Sequence, residues 1–114
     1  MFTEIASVPV LVNDAKMSAE WYRDKLGFEV SIRGHWVEAK PKGSKTVIHL
    51  CGKCKERGND SPGNNTGIFI RSDDKIKTYL ELKAKGVEFS TELTKEPWGT
   101  FAIFKDPDGN EFWM

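Results

Sequence analysis

From Ser7 the chain alternates with period two: Val8, Val10 and Val12 share one face, and Ser7, Pro9 and Leu11 the other. That pattern predicts a strand with one β-branched face. Asn13-Asp14 follows as a turn with an N-cap oxygen. Ala15, Ala19, Tyr22 and Leu26 then recur at helical spacing, a stripe suited to packing on a sheet. Gly27 stands where a helix ends in the left-handed conformation. Phe28, Val30 and Ile32 alternate as a second strand, which Gly34 breaks. Trp36 to Ala39 and Thr46 to Cys51 read as two more strands, divided by Pro41-Lys42-Gly43. The order is β-α-β-β-β.

Residues 58–65 are Gly, Asn, Asp, Ser and Pro, a linker composition. Beyond them the same order restarts. Ile68 and Ile70 share a strand face, with Phe69 and Arg71 on the other. Asp73 or Asp74 caps a helix whose stripe is Ile76, Tyr79, Leu80 and Lys83, and Gly86 ends it. Val87 to Phe89 is a short strand, and Phe101 to Phe104 is a strand apolar on both faces. Asp106-Pro107-Asp108-Gly109 is a hairpin turn, and Glu111 to Met114 closes the sheet. An offset of 59 superimposes Leu26-Gly27-Phe28-Glu29-Val30-Ser31 on Lys85-Gly86-Val87-Glu88-Phe89-Ser90. It also takes Asp14 to Asp73 and Ser7 to Thr66. The expectation is an α+β chain: a single domain over 1–114 made of two tandem βαβββ modules, about 1–57 and about 66–114.

Composition narrows the class. Lys plus Arg and Asp plus Glu are 17 each, so the formal charge is zero, which argues against a nucleic-acid partner. No apolar run approaches the ~20 residues that span a bilayer, and no secretory signal is expected at the N-terminus. The sequon Asn64-Asn65-Thr66 is therefore read as chance. Apolar residues are 39% of the chain, enough for a core; a chain this size buries roughly 65% of its unfolded surface. Two cysteines make no disulfide framework and suggest a reducing, cytoplasmic setting.

A helix covers one face of each sheet. Period-two counting puts Ser7, His49, Cys51, Gly67, Phe69, Arg71, Glu111 and Trp113 on the opposite faces. Their mix of polar and aromatic types suits a small-molecule cavity. It suits a dimer interface equally well, and both hold if the cavity lies at the interface.

These residues resemble the vicinal oxygen chelate superfamily, which includes glyoxalase I, extradiol dioxygenases and the bleomycin-resistance proteins. The resemblance covers the whole chain. It is carried by Val8-Pro9-Val10-Leu11-Val12, by the segment from Trp21 to Phe28, by Glu96-Pro97-Trp98-Gly99, and by the segment from Phe104 to Asn110. The Val-Pro-Val-Leu opening and the Pro-Trp-Gly piece look most like the bleomycin-resistance branch. The resemblance implies a mixed sheet curling around a groove and pairing as a dimer. It also implies a divalent metal held by His or Glu at one place in each of four strands. Those places fall here at Ser7, His49, Gly67 and Trp113, of which only His49 is a competent ligand. A catalytic site needs about three protein ligands and an open position, and Glu111 lies two residues from Trp113 on the same face.

Other constellations offer candidate chemistry. His49-x-Cys51-x-x-Cys54 offers imidazole and two thiols to zinc, copper or redox chemistry, and Lys53 and Lys55 favour a thiolate. No second Cys or His pair completes it, so a strand-end and a loop cysteine is the plainer reading. Trp98, between Pro97 and Gly99, is expected in a binding loop, where the resemblance places it at the ligand groove; the plainer alternative is a plug at a dimer seam. Trp36 and Trp113 are further stacking walls, and Trp21 is read as helix packing. Lys40, Lys42, Lys45, Lys53, Lys55 and Arg57 make the middle basic. If they rim the groove they favour an anion over cationic bleomycin.

The expected function is metal-independent binding or sequestration of a small aromatic or amphipathic molecule in a groove at a homodimer interface. Trp98, Trp36, Trp113 and Phe69 supply ring contacts, His49, Arg71 and Ser7 polar ones, and no cofactor is needed. The alternative is a metal-dependent lyase or dioxygenase holding Ni, Zn, Mn or Fe through His49, with Glu111 or other ligands.

Overall fold

The strand β1 (Ser7–Leu11) runs into helix α1 (Ala15–Leu26), and three strands follow: β2 (Glu29–Arg33), β3 (Trp36–Lys40) and β4 (Val47–Cys51). The Asp14 carboxylate accepts from the backbone N–H groups of Lys16 and Met17, both at 3.1 Å, satisfying donors that a helix start leaves unpaired. Gly27, at φ 70°, ends α1; its N–H donates to the Arg23 carbonyl and the Phe28 N–H to that of Tyr22. This closes the helix as a left-handed glycine is suited to do. The strands order as β1-β4-β3-β2, with β1 and β4 parallel and the others antiparallel. Helix α1 packs on β2, β3 and β4. Tyr22, Val12, Val37 and Leu50 are fully buried there, with Ala19 and Ala39 between them. Each large side chain so buried contributes about 1.5–3 kcal/mol.

These observations come from a computed structural model that describes residues 1–52 and 61–114. The chain forms two compact units, 1–62 and 63–114. The second holds β5 (Asn65–Phe69), α2 (Lys75–Ala84), β6 (Glu88–Glu96), β7 (Gly99–Lys105) and β8 (Glu111–Trp113). Its order, β5-β8-β7-β6 with β5 parallel to β8, repeats that of the first unit. The internal offset therefore marks a structural duplication, and the α+β class and βαβββ modules hold. The predicted linker is shorter than expected: Asn65 already starts β5, and residues 58–60 lie outside the described residues.

Two element-level expectations fail. The α2 stripe of Ile76, Tyr79, Leu80 and Lys83 does not face the sheet as a set. Ile76 and Leu80 are 61% and 59% exposed, whereas Leu82 is buried. Two overlapping i, i+3, i+4 patterns run along this helix, and the aromatic one wins: Tyr79 packs edge-on against Phe89, with centroids 4.8 Å apart. The Tyr79 hydroxyl and Lys83 ammonium then both donate to Glu92 on β6. The second failure is β6, which was expected to stop at Phe89 and runs on to Glu96. Its polar Ser, Thr, Glu and Lys residues hide the alternation, while the partner strand β7 supplies the apolar contacts.

The β7–β8 turn is held by buried side chains. Asp106 accepts from the backbone N–H of Asp108 and of Asn110, and from the Asn110 amide, all at 2.8–2.9 Å. Asn110 in turn accepts from the Gly63 N–H at 2.9 Å, tying the start of the unit to this turn.

Candidate functional site

In the first unit, alternation turns Val37, Ala39, Ile48 and Leu50 toward α1. Trp36, Glu38 and His49 are left on the other face. Glu38 is the register partner of His49. The Trp36 and His49 rings stack with centroids 3.7 Å apart at 19°. The Trp36 indole N–H donates to Glu38 at 2.7 Å, and the Arg33 guanidinium lies 3.7 Å from the same carboxylate. Partial burial pushes the His49 imidazole below its ordinary value, with Glu38 opposing more weakly. It is therefore neutral at pH 7. Ser7 shares this face, but its partner on β4 is Val47; Pro9 is the residue opposite His49. A cavity of about 720 Å³ opens at the carboxyl ends of β1 and β4, lined by Lys16, Arg33, His35, Trp36, His49 and Gly52 among others. Gly52 forms part of its wall beside Ala15, 3.7–3.8 Å from where a Cβ would stand.

In the second unit the corresponding face carries a row of rings. Trp98 stacks on Phe101, with centroids 5.1 Å apart at 29°, and Phe101 on Trp113, 5.2 Å apart at 21°. Phe69 is the register partner of Trp113. Its ring lies 5.6 Å from the Lys75 ammonium, which donates to the Thr100 carbonyl. Trp98 is one of the two residues between paired Glu96 and Gly99 at the β6–β7 hairpin tip, and it is 63% exposed. Asn65 accepts from the Trp113 indole at 3.4 Å. Glu111 accepts from the Ser90 hydroxyl at 2.5 Å.

The structure thus joins Trp36 with His49, and Trp98 with Trp113 and Phe69, each group within its own unit. Arg71 lies past the end of β5 and is exposed, outside the strand position expected of it. Phe101 and Glu38 were not anticipated. Phe101 bridges the two tryptophans, and counting back from the Asp106 turn finds it: Ile103 pairs with Trp113, and Phe101 shares their face. Cys51 is disulfide-bonded. Two cysteines still make no framework, but a bonded sulfur is no thiolate ligand, which removes Cys51 from the metal and redox reading. The Cys54 reading lies outside the described residues.

The sequence resemblance implies a metal with four ligand places. Its four places hold a hydroxyl at Ser7, an imidazole at His49, a hydrogen at Gly67 and an indole at Trp113. Among the described residues no group of three or more His, Cys, Asp or Glu is placed to hold an ion. Gly67 sits at φ 71° in a strand whose pairing shifts register. A Cβ there meets no atom within 4 Å, so the obstacle to a side chain is the backbone angle. Glu111 is engaged by Ser90.

Comparison with known proteins matches this picture. YetH of Bacillus subtilis (strain 168) is 32% identical over 118 residues, covering 98% of this chain and 97% of YetH. A superfamily member from Sphaerobacter thermophilus DSM 20745 superimposes with a TM-score of 0.86 at 28% identity, covering 98% of this chain and 95% of that one. TnmS3, an antibiotic binding protein from Streptomyces sp. CB03234, gives 0.84 at 27% identity, covering 98% and 93%. The sequence profile of one family spans residues 4–114. With that match and the duplicated βαβββ topology, the chain belongs to the glyoxalase/bleomycin resistance protein/dioxygenase superfamily.

Proposed function

We propose that this protein binds and sequesters a small aromatic or amphipathic molecule without a metal, in a groove completed by two copies of the chain. The observation that carries this reading is the row Trp98–Phe101–Trp113, with Phe69 at its end. Trp98 and Phe69 are 63% and 54% exposed. Nearly parallel rings spaced along an accessible sheet face offer a ladder for a flat ligand, and each good ring contact is worth about 1 kcal/mol beyond its area burial. Binding of this kind needs neither nucleophile nor ion, which suits the residues at Ser7, Gly67 and Trp113. The likeness to TnmS3, described as an antibiotic binding protein, supports the same reading.

The test is a fluorescence and calorimetric titration with naphthalene, anthracene, anthraquinone and acridine compounds, before and after dialysis against EDTA. Saturable binding that survives EDTA and weakens about five- to tenfold in W98A or F101A is expected. Absence of binding across the panel, or binding that EDTA abolishes, refutes the reading. Sedimentation equilibrium checks the pairing, for which a dimer is the expected result.

A further inference from the structure

We propose that the cavity at the end of the first sheet is a subsite for the acidic group of an aromatic ligand, a carboxylate or phenolate. Arg33 and Lys16 take the acid, and the ring lies against the Trp36–His49 stack. The inference rests on the reading that this protein binds aromatic molecules; within the first unit it adds a ring wall separate from the Trp98–Phe101–Trp113 row, with a charge requirement of its own.

The cavity is lined by Arg33, Lys16, His35 and His49, and by one acid, Asp14. The nearby acids among the described residues are already engaged. Asp14 accepts from the N–H groups of Lys16 and Met17 as the cap of α1. Glu38 accepts the Trp36 indole N–H, and its other oxygen faces Arg33 at 3.7 Å. That last contact is too long for a direct hydrogen bond, so it neutralises Arg33 in part and leaves its planar fork able to receive another carboxylate. Lys16 forms no ion pair with a described residue. It also lies in the first turn of α1, where a positive charge meets the positive end of the helix dipole and an anion relieves both. The stacked Trp36 and His49 rings supply a flat apolar wall beside these donors. A cationic ligand finds the same wall, but the carboxylates it could meet, Asp14 and Glu38, already accept from the α1 N–H groups and from Trp36, while Arg33 and Lys16 repel it.

Three probes sharing one ring system test this: 9-anthracenecarboxylate, 9-anthracenemethanol and 9-anthracenylmethylammonium, titrated into the full chain by calorimetry at low salt. The carboxylate is expected to bind about tenfold tighter than the alcohol, the size of one hydrogen bond to a charged group, and the ammonium weakest. In K16Q/R33Q the carboxylate's advantage is expected to collapse to within about twofold. R33Q and K16Q are measured singly beside the pair, with unfolding midpoints to verify folding. Equal affinity of the three probes, preference for the ammonium, or an advantage that survives both substitutions overturns this proposal and leaves aromatic binding standing. Failure of all three probes to bind overturns both.

Discussion

His49 and Asp106 show how far single side chains set behaviour. An imidazole held below its ordinary value near 6.5 is harder to protonate folded than unfolded. Its contribution to stability is fully present above pH 6.5 and is lost as pH falls through that value and below. Urea denaturation at pH 7.5 and pH 5 is expected to show this loss, and H49Q to shrink it. Asp106 is a different case: 4% exposed and accepting three hydrogen bonds, it leaves buried donors unpaired when removed. D106A is expected to cost roughly 2–4 kcal/mol in urea unfolding. The Asp-Pro-Asp-Gly run made the turn legible, but nothing local revealed that Asn110 would carry the hold on to Gly63.

At the level of elements, legibility followed the strength of the local signal. Helix α1 could be read end to end because Asp14 and Gly27 are both strong punctuation. G27A should destabilise by about 1 kcal/mol, since alanine resists the left-handed angle that glycine takes there; a thermal melt measures it. Helix α2 was legible in extent and misread in orientation, because spacing alone could not choose between Ile76-Leu80 and Tyr79-Leu82. The choice was made by Phe89 and Glu92, residues on another strand. The same limit hid Phe101. It looked like one more apolar strand residue until pairing with β8 put it between Trp98 and Trp113.

Across the whole molecule, the duplication was readable because glycine, aspartate and strand landmarks recur at one offset, and the open faces followed from period two. What was not readable was which residues on those faces touch. With no net charge and a sequence pI near 6.7, electrostatic repulsion between copies is weakest at neutral pH. Solubility is expected to pass through a minimum near that pH and to rise toward pH 8.5. A ligand held at about a hundred times its dissociation constant adds about 2.7 kcal/mol to folding stability by mass action. W98A, read at the same concentration of the same compound, is expected to lose part of that gain.

One glycine bears on how reversible this design is. Gly67 has room for a side chain, but its left-handed backbone penalises any residue that carries one by about 1–2 kcal/mol. Installing histidine or glutamate there would carry that penalty, on top of new residues at Ser7 and Trp113. A centre with ligands at all four places would thus take several coordinated changes, the one at Gly67 working against its own backbone.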